Sequence, residues 1–299
     1  MPPQSGPSTK PAAGTASAAA APARAPEIQS VAAVGHESSP PPFRSDLSPS
    51  PQIRGCRFFV QAISLLAISV GLMVLLGWML GSTLLTGVFH GFATMKPATA
   101  ACFILAGLAL WLLHDANQPL GPRRRWGRFA GAAIVVVGVL TATEYGFAVN
   151  LGIDELLFRQ TLLATGVANP GRMSLAAALG FALLGWSLLL LESDRNWPRL
   201  RQATALLSAF DGLVAFVGYL YGAKTLYHVV SYSSMAAHTA VLLVLLGAAS
   251  LAARPSAGIM AIVTSEFLGG LMARRVLPFA LTMPMLFGWI RWQGELAGF

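Results

Sequence analysis

The chain has 299 residues, 55% hydrophobic and only 11% charged, with a mean hydropathy of +0.63. A soluble domain carries about 25% charged residues, so this composition excludes an ordinary water-soluble fold. The net charge of +8 does not point to nucleic acid, because most basic residues lie between apolar stretches, where they orient a membrane protein.

Residues 1–52 are rich in Pro, Ala, Ser and Gly and poor in large apolar side chains. Such a segment cannot bury enough surface to offset its ordering entropy, and it is expected to be a disordered cytoplasmic tail. Seven apolar stretches follow, at about 58–80, 97–113, 129–149, 173–191, 202–222, 236–253 and 276–292. Each is close to the roughly 20 residues that a spanning helix needs. The expected fold is an all-α membrane protein of about seven transmembrane helices. Three helix hairpins (about 58–113, 129–191 and 202–253) precede an interfacial segment at 256–275, which is partly amphipathic, and a last helix at 276–292 interrupted by Pro278 and Pro284.

One spacing opens the second arm of each hairpin. Met95, Thr99-Ala100, Leu105 and Gly107 recur as Met173, Ala177-Ala178, Leu183 and Gly185, and again as Met235, Thr239-Ala240, Leu245 and Gly247. Offsets 0, 4, 8 and 12 fall on one helical ridge. Small residues on that ridge allow close helix approach, so Met95, Gly107, Met173, Gly185, Met235 and Gly247 are read as a packing ridge, and the pattern as an internal repeat. The first arms end in Gly77-x3-Gly81, Thr143-Glu144-Tyr145-Gly146 and Gly218-x3-Gly222. The middle external loop contains Asn150 to Phe158, whose acidic and apolar alternation suits a short interfacial helix.

Twelve arginines, among them Arg54, Arg57, Arg123, Arg124, Arg125, Arg128, Arg201 and Arg254, fall on the side of the N-terminus. Only Lys96, Arg159, Arg172, Lys224 and Arg291 fall on the other. That asymmetry places the N-terminus in the cytoplasm and the hairpin tips outside. No removable signal peptide is visible, and Cys56 and Cys102 form no disulfide framework.

Ionisable residues inside spans are costly and are functional suspects. Glu144, in the outer part of the third span, and Asp211, near the middle of the fifth, stand out. His90, His228 and His238 lie at or near the external face, where Asp154 and Glu155 also fall. Together these seven are the ligand or sensing candidates. The histidines lack ligand spacing, so no metal, haem or other cofactor is expected. Tyr145, Tyr219, Tyr221, Tyr227, Tyr232, Trp78 and Trp289 read as an interfacial aromatic belt.

Several strings in order support a family resemblance. They are Met95 to Gly107 (MKPATAACFILAG), Gly152 to Phe158 (GIDELLF), Pro170 to Ser174 (PGRMS), Gly218 to Gly222 (GYLYG), Met235 to Ala240 (MAAHTA) and Ala253 to Pro255 (ARP). Over about residues 57–295 the chain resembles the multi-pass N-terminal membrane sensory region of bacterial PAS, histidine-kinase and diguanylate-cyclase signalling proteins. The resemblance implies a non-catalytic input module in the bacterial inner membrane. It would relay a periplasmic or intramembrane signal to a cytoplasmic kinase or cyclase, as part of a two-component or similar system. The partners so implied are the lipid bilayer and an output protein or a second copy of the chain. No phosphoacceptor helix, ATP-binding motif or cyclase signature is present, so the chain is expected to be the input part alone and not an enzyme. The alternative is a small transporter or channel using Glu144 and Asp211, since repeats and midplane carboxylates suit that class.

Overall fold

In the computed structural model, residues 51–87, 93–115, 121–152, 157, 171–192, 197–221 and 234–297 are described. Residues 1–50 of the tail, the proposed interfacial helix around 153–158 apart from Leu157, and His90, Asp154, Glu155, His228, Tyr227 and Tyr232 lie outside them, while Pro51 and Gln52, expected in the tail, open the first helix. The described residues are helical and contain no strand.

The helices are α1 (Pro51–Leu80), α2 (Thr83–Thr86), α3 (Pro97–Leu113), α4 (Pro122–Phe147), α5 (Leu175–Leu190), α6 (Pro198–Leu220), α7 (Ala237–Ala252), α8 (Gly258–Thr264) and α9 (Leu268–Leu296). Their starts follow local chemistry. Pro97, Pro122 and Pro198 occupy the first turn of α3, α4 and α6, where a missing N–H costs nothing. Ser174 caps α5, its Oγ accepting from the Ala177 N–H at 3.2 Å. Past the end of α1, Gly81 takes φ +66°, the left-handed stop that suits glycine.

Three helices, α1, α4 and α6, are long and apolar enough to cross a membrane by length and composition. The apolar α3, α5 and α7 are shorter, at 17, 16 and 16 residues. The two sets alternate around a closed ring, in the order α1, α3, α4, α5, α6, α7 and back to α1, and α3, α5 and α7 also touch one another. The short helices therefore form the centre and the long ones an outer layer. Burial agrees. Phe103, Leu110, Phe181, Leu184, Leu188, Leu243 and Leu246 on the short helices are fully enclosed, whereas Leu72, Leu76, Val136, Val139, Leu207 and Phe210 on the long ones face outward. At the centre, the rings of Phe103 and Phe181 meet edge to face, their centroids 4.8 Å apart.

Each long helix runs antiparallel to the short helix that follows it, and the same close contact recurs in all three pairs. A Cβ placed on Gly71, Gly138 or Gly212 would stand 2.7, 2.6 or 2.6 Å from the carbonyl oxygen of Ala100, Ala178 or Ala240. In return, a Cβ on Gly107, Gly185 or Gly247 would stand 2.6, 3.0 or 2.8 Å from the carbonyl oxygen of Ser64, Gly131 or Ala205. Each acceptor lies seven residues before the glycine of its own long helix. Only glycine permits this backbone approach, in which packing supplies the association energy. The ridge residues Met95, Met173 and Met235 are all buried, as are Gly107, Gly185 and Gly247.

The long helices begin before their apolar stretches. α1 starts at Pro51, α4 at Pro122 and α6 at Pro198, which puts Arg57, Arg124 and Arg201 on helices instead of in loops. Hydropathy marks only the apolar part, whereas arginine is itself a good helix former and extends the backbone beyond it.

The final segment also differs from expectation. α9 is continuous from Leu268 to Leu296 and contains both Pro278 and Pro284, and only α8 remains as a separate short helix before it. Side-chain donors reach backbone oxygens here. Thr282 Oγ1 donates to Pro278 O at 2.8 Å, and Arg274 Nη1 donates to Val263 O and Ser265 O at 2.6 and 3.0 Å, fixing the turn between α8 and α9. α9 touches α6 sparingly, through contacts that include Tyr221 Oη donating to Pro284 O at 3.2 Å.

Candidate functional site

The central trio has two ends. At one, the first turns of α3, α5 and α7 and the residues before them line a small recess that includes Lys96, Thr99, Ser174, Ala177, Met235 and Thr239. At the other, the C-terminal ends of the same helices meet at Arg254. The three short helices are therefore parallel.

At the methionine end, each backbone turn is tied to an aromatic side chain of the long helix. Trp78 Nε1 donates to Met95 O at 2.9 Å, Tyr145 Oη to Met173 O at 2.9 Å, and Tyr219 Oη to Met235 O. Trp78, Tyr145 and Tyr219 each lie seven residues after Gly71, Gly138 and Gly212. They hold the entry of each short helix to its partner, which is more than an interfacial belt requires. The recess measures about 10 Å³, the space of a single water molecule.

Glu144 is fully buried at the same end. Its Oε1 accepts the Leu151 N–H at 2.8 Å, and its Oε2 lies 3.3 Å from Nε of Arg172, which is itself only 7% exposed. The Arg172 guanidinium also stands 5.5 Å from the centre of the Tyr145 ring. Glu144, Tyr145 and Arg172 thus bind the end of α4 to the segment that leads into α5. Burial at this depth demands a partner for each charge, and each supplies the other's.

Asp211 sits midway along α6. Its Oδ2 is buried without a hydrogen-bond partner among the described residues, and a Cβ on Gly180 of α5 would stand 2.7 Å from it. Nearby, Ser208 Oγ donates to Gly180 O at 2.9 Å, so Gly180 receives two side chains of α6. His238 is half-buried in the first turn of α7. Glu144, Asp211 and His238 occupy three different helices. Among the described residues, no group of three His, Cys, Asp or Glu side chains is arranged to hold a metal ion.

The opposite end contains what the sequence reading overlooked. Arg254 donates from Nη1 to His114 O (2.8 Å) and Ala253 O (3.0 Å), and from Nη2 to Leu113 O (3.3 Å) and Leu191 O (2.9 Å). His114, Leu191 and Ala253 are the C-cap residues of α3, α5 and α7. One planar cation thereby satisfies terminal carbonyls of all three central helices, at the negative ends of their dipoles. Beside it, Arg201 is fully buried and donates from Nη1 to Ser250 O at 3.0 Å, while Ser250 Oγ lies 2.7 Å from Ser187 Oγ. In the sequence Arg201 figures only in a charge count, and Arg172 and Arg254 fall within the strings PGRMS and ARP without a role of their own.

Comparison with family models, curated proteins and solved structures finds no match to this chain.

Proposed function

We propose that the chain is a non-catalytic sensory input module of the bacterial inner membrane. In this reading it has seven spans, with the N-terminus in the cytoplasm and the methionine end outside. The ordered sequence motifs, the twelve-to-five basic asymmetry, and the recurrence of one glycine contact and one aromatic-to-methionine bond in three hairpins support a triplicated membrane unit. The observation that carries the relay is Arg254. It joins the last turns of α3, α5 and α7 and lies immediately before the segment leading to α8 and α9. A small displacement of any central helix would move the guanidinium, and with it the cytoplasmic segment around α8 against which a kinase or cyclase would rest.

Affinity purification from native membranes, with assays for histidine-kinase and diguanylate-cyclase activity in the eluate, tests this reading. Co-purification of one such activity, altered by Arg254→Gln, is expected. A chain that acts with no such output would overturn it.

A second reading, a small transporter, draws on the unpartnered Oδ2 of Asp211. Proteoliposome flux abolished by Asp211→Asn and by Glu144→Gln would favour it. Wild-type flux in both variants would remove these carboxyls from any transport mechanism.

A further inference from the structure

We infer that the Arg-rich first turns of α4 form a binding site for the phosphate headgroup of an anionic phospholipid. A cleft of about 440 Å³ opens there, lined by Gly121, Pro122, Arg124, Arg125, Arg128 and Glu192. That volume falls within the range of about 300–1,000 Å³ common for small-ligand sites.

Three cations and one carboxylate leave a formal charge of +2 in the cleft (3 − 1). Glu192 fixes two of the cations: its Oε1 lies 2.9 Å from Arg124 Nε, and its Oε2 lies 3.3 Å from Arg128 Nε. Arg125 is exposed, and its guanidinium makes no hydrogen bond or ion pair among the described residues. Gly121, the N-cap, offers no side-chain acceptor, so the first-turn N–H groups and the positive end of the 26-residue helix also favour an anion. Arginine forks pair with phosphate oxygens in a bidentate fashion.

The flank of the cleft selects a lipid over a free ion. Trp126 and Phe129 are each 65% exposed on this same stretch, and their rings meet edge to face with centroids 6.0 Å apart. Exposed aromatic rings beside arginines are the pattern of a helix at the headgroup level of a bilayer. A topology signal needs only the charge. It does not need a shaped cleft with two arginines held in place by a carboxylate.

This assignment rests on the membrane reading alone and not on the signalling one. The test titrates dihexanoyl phosphatidylglycerol into the detergent-purified full chain, with dihexanoyl phosphatidylcholine and inorganic phosphate as parallel probes. Saturable binding of phosphatidylglycerol is expected, weakened about tenfold in Arg125→Gln and unchanged in Arg54→Gln, which removes an exposed charge from α1. Equal affinity in Arg125→Gln, equal loss in Arg54→Gln, or phosphate binding as tight as phosphatidylglycerol would each overturn the site. Carbonate washing of native membranes separates the two levels. A chain retained in the washed membranes whose Arg125→Gln variant binds normally loses only the headgroup site, whereas a chain released by the wash loses the membrane reading too.

Discussion

The hydroxyl of Tyr145 donates to the carbonyl oxygen of Met173 at 2.9 Å, across the loop that joins α4 to α5. Trp78 and Tyr219 make the corresponding bonds to Met95 and Met235. Hydrogen bonds between membrane helices are worth about 0.6–1 kcal/mol. Tyr145→Phe and Tyr219→Phe, which keep the ring and lose the donor, are predicted to cost about that much each. Denaturation of the detergent-solubilised protein in increasing SDS measures it, and a cost above about 3 kcal/mol would show that the hydroxyl does more than tie the loop.

The glycine contacts predict a sharper loss. A Cβ on Gly138 would meet Ala178 O at 2.6 Å and Ala182 N at 2.8 Å, both backbone atoms that cannot swing aside. Gly138→Ala should therefore push α4 and α5 apart, at a cost of about 1–3 kcal/mol. At Gly146, nothing lies within 4 Å of a new Cβ, so Gly146→Ala should be neutral or stabilise the helix by up to about 1 kcal/mol. Equal behaviour of the two variants in SDS denaturation would contradict the packing described.

For the Glu144–Arg172 pair, the sign of the effect depends on how many partners are removed. Glu144→Leu or Arg172→Met alone strands a buried charge or its donors and is predicted to cost about 3–5 kcal/mol. The double variant Glu144→Leu with Arg172→Met should recover much of that loss, because an apolar pair removes both desolvation penalties. A double-mutant cycle reads the coupling. Additive single losses would mean that the two side chains act independently.

Arg254→Ala leaves terminal carbonyls of α3, α5 and α7 without their shared donor, and a loss of about 3 kcal/mol is expected. Arg254→Lys should restore less than half, since one ammonium cannot reproduce the two-pronged planar fork. Limited proteolysis within 255–257 should accelerate in both variants, and unchanged cleavage would argue against Arg254 as the clasp.

How much of this was legible in the chain depended on the range of the cause. The apolar stretch 97–113 coincides with α3, because a local apolar run bounded by Pro97 and His114 specifies a helix by itself. The Met-to-Gly offsets located the ridge, since their period is that of the helix. The matching glycines Gly71, Gly138 and Gly212 and the small residues seven positions earlier went unread. Their identities differ (Ser64, Gly131 and Ala205), and their meaning arises only when the second helix is in place. The same holds for the arginines. Arg201 bonds Ser250, 49 residues away, and Arg254 bonds His114, 140 residues away. No periodicity records such distances, and a charge at a span boundary reads as a topology signal until packing encloses it. For Glu144, the sequence marked the buried acid but not Arg172, because the intervening loop hides their proximity.

The lengths of the central helices have a mechanical consequence. At about 1.5 Å per residue, the 17 residues of α3 measure about 26 Å, while the 30 residues of α1 measure about 45 Å. A bilayer's hydrocarbon layer is about 30 Å thick. Among the described helices the long ones therefore reach beyond the short ones, whose own outward residues Leu179 and Trp186 are about half exposed. The two polar fastenings, the methionine carbonyls at one end and the Arg254 fork at the other, bracket the short helices. In a bilayer, a change of thickness would act first on the long helices, and the glycine contacts and the bonds of Trp78, Tyr145 and Tyr219 would carry it to the short ones.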